Sequence, residues 1–485
     1  MKKTPVTYQP GISVTLTKVI KYRNGQAARY IATNNVIDLT KFLGDKGAGV
    51  STTKDVRQPS GSFTITFPDK LDQKTQDTLY AAISPMDYVE IRMARSSQNY
   101  STGSLPIVMR GFVSSVKRKQ EMGDDGKPRR FVVVTGLDFG KLLGMMQIFY
   151  EQNYGLGQNL LTVFRLFANS GVSGEAMSAA KFCQGILDQI INPNLVAMYH
   201  KSALAGTAQN PFQIKGDTTS VKEGTVQPYS FQSYEGDLWG LLKAFSDIYW
   251  NELFVQDRQD GVYLVYRPLP FKDTGGNFIG GAVDPGSTTI TPADIKTIDL
   301  ERSDKGIANY FWVNAPQFQL IGQSTLQMDA YNRSQDYFVQ DRPNCDPVLY
   351  GIRKMQVDTQ QGSTDATTSG MHLDTDQQNQ SNAFMQNWVD ARRETLKEIN
   401  QDNVIFEEGE VVIKGNEAVL PGTRLIVDYG TYRAEHYAFA VTQDFMPMNS
   451  FTTRVQVTRG TGYIERTKLA GSPYIGERSR GAYGS

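Results

Sequence analysis

Apolar and polar residues alternate in short runs over two long stretches of this chain, roughly residues 10–140 and 290–460. Ile12, Val14 and Leu16 alternate with Ser13, Thr15 and Thr17, and residues 62–67 read SFTITF. Val89, Ile91 and Met93 share one face of a run over 87–93, and residues 451–458 read FTTRVQVT. A period of two buries one face and wets the other, as in strands of antiparallel sheets. The first stretch also predicts a hairpin of 107–118 and 130–136, turned at Gly123-Asp124-Asp125-Gly126. A helix is expected between Pro68 and Pro85, with Leu71, Thr75, Leu79 and Ile83 on one side. Residues 1–11 read as an extended arm and 34–61, by composition, as a long loop. In the second stretch, strands are expected at 309–314, 410–414, 424–429, 437–442 and 452–458.

Between the two stretches the period changes to three and four. Helices are expected at 159–168, at 178–192 and at 236–250. Phe182, Ile186, Leu187, Ile190 and Ile191 line the second, which Pro193 stops. Leu238, Leu241, Leu242, Phe245, Ile248 and Tyr249 line the third, and a hairpin at 254–255 and 262–266 follows it. Residues 201–234 read as an exposed loop and 358–382 as a mobile one, ahead of a helix at 383–400 carrying Trp388, Arg392, Leu396 and Ile399 on one side. The pattern divides the chain into a β domain at 1–140, an α+β insert at 141–285, a second β domain at 286–470 and a flexible tail at 471–485.

With 485 residues the chain exceeds one ordinary core, and 40% apolar content supports packed domains. Lys plus Arg and Asp plus Glu are equal at 50 each, so there is no basic surplus of the kind a dedicated nucleic-acid binder shows. The two cysteines, Cys183 and Cys345, are far apart and fit no metal spacing. A reducing compartment of synthesis is expected. The opening MKKTPVTYQPG has no apolar run behind its lysines, and no segment is long and apolar enough for a membrane anchor. A soluble chain without a secretory leader is the expectation.

No residue set rises to a catalytic, cofactor-binding or metal site, so no such residues are nominated and the chain is not expected to be an enzyme. His200, His372 and His436 are scattered and read as solvated. The acid pairs Glu407-Glu408 and Asp124-Asp125 fall at a strand edge and in a turn, where charge meets water. Gly44–Gly49 lacks the Lys-Ser or Lys-Thr of a phosphate loop, and Gly155-Leu156-Gly157 lacks a third glycine, so both read as turns. Trp239, Trp250, Trp312 and Trp388 fall on apolar faces and read as core or interface packing.

One stretch carries a family likeness. Residues 107–143 read IVMRGFVSSVKRKQEMGDDGKPRRFVVVTGLDFGKLL, with Gly111, Val113, Val116 and Arg118 before a hairpin and Gly136, Asp138 and Leu142 after it. This resembles the first tube-like domain of phage tail baseplate hub proteins, whose plan the late control D proteins and the hub part of type VI secretion spike proteins share. Leu420-Pro421-Gly422, the strand 437–442 and residues 451–460 resemble the close of a second such domain. The resemblance implies a β-rich α+β chain with two tube-like antiparallel β-barrel or sandwich domains. It further implies a homotrimer whose six such domains ring the axis, between a sixfold tail tube protein above and a threefold central spike protein below. Other baseplate proteins would adjoin it. Genomic DNA would pass the lumen without specific binding, in the virion tail baseplate of a contractile tail assembled in the host cytoplasm. The alternatives are another tail or baseplate structural protein, or a carbohydrate-binding β protein. The middle insert and the 358–382 loop depart from the hub plan.

Overall fold

The computed structural model describes residues 9–21, 29–44, 47–70, 78–101, 104–122, 126, 128–148, 177–193, 195, 213–226, 234–314, 339, 342–362, 375–428, 433–447 and 449–461. It is a β-rich α+β fold. The alternating runs of the first stretch become β1 (Gly11–Lys21), β2 (Arg29–Asp38), β3 (Gly49–Asp55), β4 (Ser62–Pro68), β5 (Tyr88–Ala94), β6 (Ile107–Met122) and β7 (Pro128–Asp138). The middle adds the short strands β8 (Gln147–Ile148), β9 (Met177–Ser178), β10 (Ile214–Asp217), β11 (Thr225–Val226) and β12 (Gly236–Asp237). The hairpin of β13 (Asn251–Arg258) and β14 (Gly261–Pro268) completes it. In the last stretch β15 (Ser287–Ile290), β16 (Ile295–Glu301), β17 (Tyr310–Asn314), β18 (Lys354–Asp358), β19 (Glu407–Lys414), β20 (Thr423–Asp428), β21 (Arg433–Met446) and β22 (Ser450–Gly460) follow.

Both alternating stretches enter one thirteen-stranded sheet, in the order β16-β19-β22-β21-β3-β4-β7-β6-β5-β1-β2, with β20 also on β21 and β15 beyond β20. The two halves meet where β3 pairs antiparallel with β21, Val50 opposite Phe445 through Asp55 opposite Ala440. Side chains bridge this seam, Ser51 to Asp444 at 2.7 Å and Thr53 to Thr442 at 3.0 Å. Each half has its own core. Val14, Leu16, Phe63, Ile65, Phe67, Ile91 and Val134 fill the first, and Val411, Ile413, Leu425, Val441, Val455 and Val457 fill the second.

The middle segment packs the helices Ala179–Ile186 and Leu238–Phe245 against β13 and β14, and its core reaches Phe112, Phe139 and Leu142 at the end of the first half. Ser178 and Asp237 cap these helices by accepting from Lys181 N and Gly240 N. A π-helical turn, Leu187–Ile191, extends the first of them. The helix Thr375–Asn400 covers the parallel pair β17–β18 through Phe311, Val357, Val389 and Leu396.

Several expectations need correction. The loop read at 34–61 contains β3, which sits at the centre of the sheet. Its inward positions are Val50, Thr52 and Lys54, so its alternation is carried partly by polar residues and escapes a hydrophobic count. The helix read at 236–250 stops at Phe245, because Asp247 turns left-handed at φ 49° and Asn251 and Tyr266 both donate to the Ser246 carbonyl. Ile248 and Tyr249 are consequently exposed. In the loop read at 358–382, Thr359 and Gln361 are fully buried and the helix begins at Thr375. The reading of 201–234 as loop gives way at β10 and β11. The helix expected after Pro68 is described only at Leu79–Ala82. Residues 1–8, 71–77, 123–125, 159–168, 363–374 and 471–485 lie outside the described residues.

Candidate functional site at the junction of the sheet halves and the middle segment

Buried charge concentrates where the three segments meet. β3 places Lys54 inward because it alternates with Val50 and Thr52. There the Lys54 ammonium lies 3.0 Å from Asp138 at the end of β7 and 2.5 Å from Asp257 on β13. All three groups are buried. Burial, the largest effect, favours a neutral Lys54, yet the two carboxylates together hold its pKa above the ordinary value. Burial also raises Asp138 above the usual carboxylate range, while Lys54 opposes that rise. One ammonium between two carboxylates ties the first sheet half to the middle segment.

The residues that carry the family likeness build this corner. Asp138 also accepts from Gly140 N at 2.9 Å, opening the helix Gly140–Met145, on which Leu142 is buried. A Cβ at Gly136 would sit 2.1 Å from the Phe63 ring, and one at Gly111 would sit 2.3 Å from the Leu137 carbonyl oxygen. Only glycine admits that approach. Val113 is buried, Val116 half-buried, and Arg118 reaches Asp69 outside the corner. Nearby, Arg110 donates to the Arg258 and Gln259 carbonyls, and Gln259 bonds both backbone groups of Ile107.

A second cluster ties the middle to the other half. Glu252 on β13 accepts from Arg267 Nε at 2.6 Å and from the Tyr437 hydroxyl of β21, and Arg267 reaches the Gly422 carbonyl. Burial raises Glu252 and Arg267 pulls it back. In a third cluster, Asp247 accepts from the Thr359 hydroxyl at 2.5 Å and from Gln360 N at 2.7 Å, with Arg392 of the long helix 3.9 Å away. Burial pushes the Asp247 carboxyl up to about 6, against the pull of Arg392. Gln361 donates to the Phe245 carbonyl and the Tyr266 hydroxyl, each at 2.8 Å. Arg392 itself lies over the Trp388 ring at 4.2 Å. Trp250 is buried, while Trp239, Trp312 and Trp388 are half-buried.

Arg459, left-handed at φ 58°, donates to the Ile399 carbonyl and lies over the Phe271 and Phe406 rings. Burial lowers its pKa to about 10. Beside it His436 is buried, not solvated, with Nε2 3.6 Å from Glu407. Glu407 is likewise buried, so only Glu408 of that acid pair meets water. The strand alternation of β21 and β19 turns both groups inward, against the reading of them as surface charge. His200, His372, Asp124-Asp125 and Gly155–Gly157 lie outside the described residues. Cys183 and Cys345 are both buried, and burial pushes the Cys183 thiol up to about 12.

The same junction opens a cleft of about 570 Å³, lined among others by Arg57, Trp239, Tyr249, Phe271, Tyr437 and Arg459. Among the described residues, no group of His, Cys, Asp and Glu has the arrangement to hold a metal ion, and no helix is long and apolar enough to cross a membrane. The buried carboxylates are engaged by partners from other segments, an arrangement that fixes the segments relative to one another. Lys54, Asp247, Glu252, Asp257, Arg267 and Arg392 carry this junction, and sequence reading singled out only Arg392, as a helix-face residue. The one local signal was Lys54 at a position alternating with Val50.

No family model and no curated protein matches the chain. Solved structures with a similar course include the tail protein from Neisseria meningitidis MC58, 11% identical, over 92% of this chain and 96% of that one, at a TM-score of 0.44. The 43 kDa tail protein of prophage MuSo2 from Shewanella oneidensis is 12% identical over 92% and 97%, at 0.43. A type VI secretion component from E. coli, described as structurally similar to the T4 tail proteins gp27 and gp5, is 8% identical over 84% and 72%, at 0.37.

Proposed function

We propose that this chain is a structural subunit of a phage tail baseplate, and within it the hub: a homotrimeric ring between a sixfold tail tube and a threefold central spike. The observation that carries the reading is the seam, where two antiparallel β halves join edge to edge into one sheet and are locked by buried ions to a shared middle segment. A rigid body of this kind transmits position, not chemistry. Three copies would present six β halves around an axis, which suits a sixfold partner on one face and a threefold one on the other. The segments 1–140, 141–285, 286–470 and 471–485 then serve as first tube-like domain, insert, second tube-like domain and tail. In this reading the chain is not an enzyme, DNA passes the lumen unbound, and other baseplate proteins surround the ring.

Light scattering with negative-stain imaging tests it. A ring at three times the 54.1 kDa chain mass with a pseudo-sixfold outline is expected; a particle of other symmetry counts against the hub. The aromatic lining of the junction cleft, Trp239, Tyr249 and Phe271, favours carbohydrate binding as the second reading. Binding on a glycan array without self-assembly would establish it instead.

A further inference from the structure

The β6–β7 hairpin extends beyond the core it covers. Val113 and Val132 are buried at its base, whereas Lys117 through Met122 are exposed and Met122 retains 72% of its surface. In sequence the arm carries Lys117, Arg118, Lys119, Lys127, Arg129 and Arg130 against Glu121, Asp124 and Asp125, six cations to three acids. Arg118 is tied to Asp69, and Lys119 to Glu121. A two-stranded ribbon without a core beneath it is only marginally stable alone.

At the end of the sheet, β16 pairs with β19 so that Asp299 stands opposite Glu410 and Glu301 opposite Glu408. Like charges directly opposite destabilise a sheet. The four carboxylates share a groove of about 410 Å³ with Arg57, Phe439 and Gln456. Glu410 accepts from Gln456 at 2.6 Å, a neutral donor that leaves the charge in place. The other edge of β16 has no neighbouring strand among the described residues.

We infer that these two surfaces take each other: the cationic β6–β7 arm of one copy lies on the carboxylate face of β16–β19 of the next. The inference rests on the ring reading above and names the contact that would close the ring. The two surfaces are separated within one sheet by β22, β21, β3 and β4. A contact between different patches, repeated by rotation, generates a ring where the rotation closes and an open filament where it does not. The chain's formal net charge of zero fits a subunit that carries opposite charge at two ends and neutralises both on assembly. Nucleic acid is the other occupant for a cationic arm, but it would leave the facing pairs Asp299–Glu410 and Glu301–Glu408 with only local cations beside them, Arg57 in the groove and Lys305 at 3.8 Å from Glu301.

The test is sedimentation of the full-length protein over a concentration series, at low and high salt. Three variants are needed: Lys117→Glu with Lys119→Glu, Glu301→Lys with Glu408→Lys, and the four changes together. Circular dichroism confirms folding. Each double reversal should raise the self-association constant for dissociation about ten-fold or more, and the combination should return it to within about three-fold of the parent. High salt should weaken the parent in the same direction. The milder pair Lys117→Gln with Lys119→Gln should weaken it less than the reversal. If the parent assembles and neither reversal weakens it, or if the combination fails to restore it, the contact is overturned while the ring stands. A parent that remains monomeric throughout overturns the ring reading and the contact with it. Retention of DNA that Lys117→Glu with Lys119→Glu abolishes, with self-association unchanged, gives the arm to nucleic acid and also overturns the contact.

Discussion

The two halves of the sheet share a mainly antiparallel plan, with β15 parallel to β20 in the second, but fill their interiors differently. The first core is aromatic at its centre, with Phe63 and Phe67, whereas the second is built from Ile, Val, Leu and Ala alone. Of the aromatic residues of β21 and β22, Phe445 and Phe451 pack into the first core, whereas Tyr437 and Phe439 pack with Val56 and Phe254. A half that lends two phenylalanines to its neighbour's core is not an independent unit. The seam therefore works as a shared core, and the halves should unfold together.

Breaking the ionic lock is the severest test of that coupling. Lys54→Ala leaves Asp138 and Asp257 buried without their cation and should cost about 3–5 kcal/mol by denaturant unfolding, in one transition. Replacing all three, with Lys54→Met, Asp138→Asn and Asp257→Asn, should recover much of the loss. Phe445→Ala should cost about 3 kcal/mol and weaken both halves, although the residue belongs to β21. Two separate transitions, with only one shifted, would show the halves to be independent. Ile413→Val, inside the aliphatic core alone, should cost only ~1 kcal/mol.

The smallest effect expected is a slope with pH. Asp247 holds its proton up to about 6 when folded, against 3.8 for an ordinary aspartate in an unfolded chain. Between those values the folded state binds more protons, so its contribution to stability is greatest below the window and falls as pH rises through it. Asp247→Asn should flatten the slope of unfolding free energy over that window. An unchanged slope would mean that the Thr359, Gln360 and Arg392 contacts keep Asp247 ionised.

Much of the sheet was legible in the sequence because a strand with one buried face writes its orientation in every second residue. β4, β5 and β22 follow their apolar alternation closely. β3 was missed because two of its inward residues are Thr52 and Lys54. The helix 236–250 was overread because Ile248 and Tyr249 continue the apolar stripe beyond the turn at Asp247. Burial of Thr359 and Gln361 was hidden by the polar composition around them.

The chain alone thus determined its β-rich character, its two alternating stretches, the helical middle and the glycines of the 107–143 motif, since each depends on neighbours a few positions away. The tertiary structure decided the rest: that both stretches form one sheet, that Phe445 serves the first core, and that Lys54, Asp247, Glu252 and Arg392 are buried. A buried charge is tolerated only beside a counter-charge or a hydrogen-bond donor, and here Asp257, for Lys54, and the Tyr437 hydroxyl, for Glu252, come from segments 203 and 185 residues distant. No local pattern encodes such a partner, because the free energy that permits the burial exists only once the segments have met.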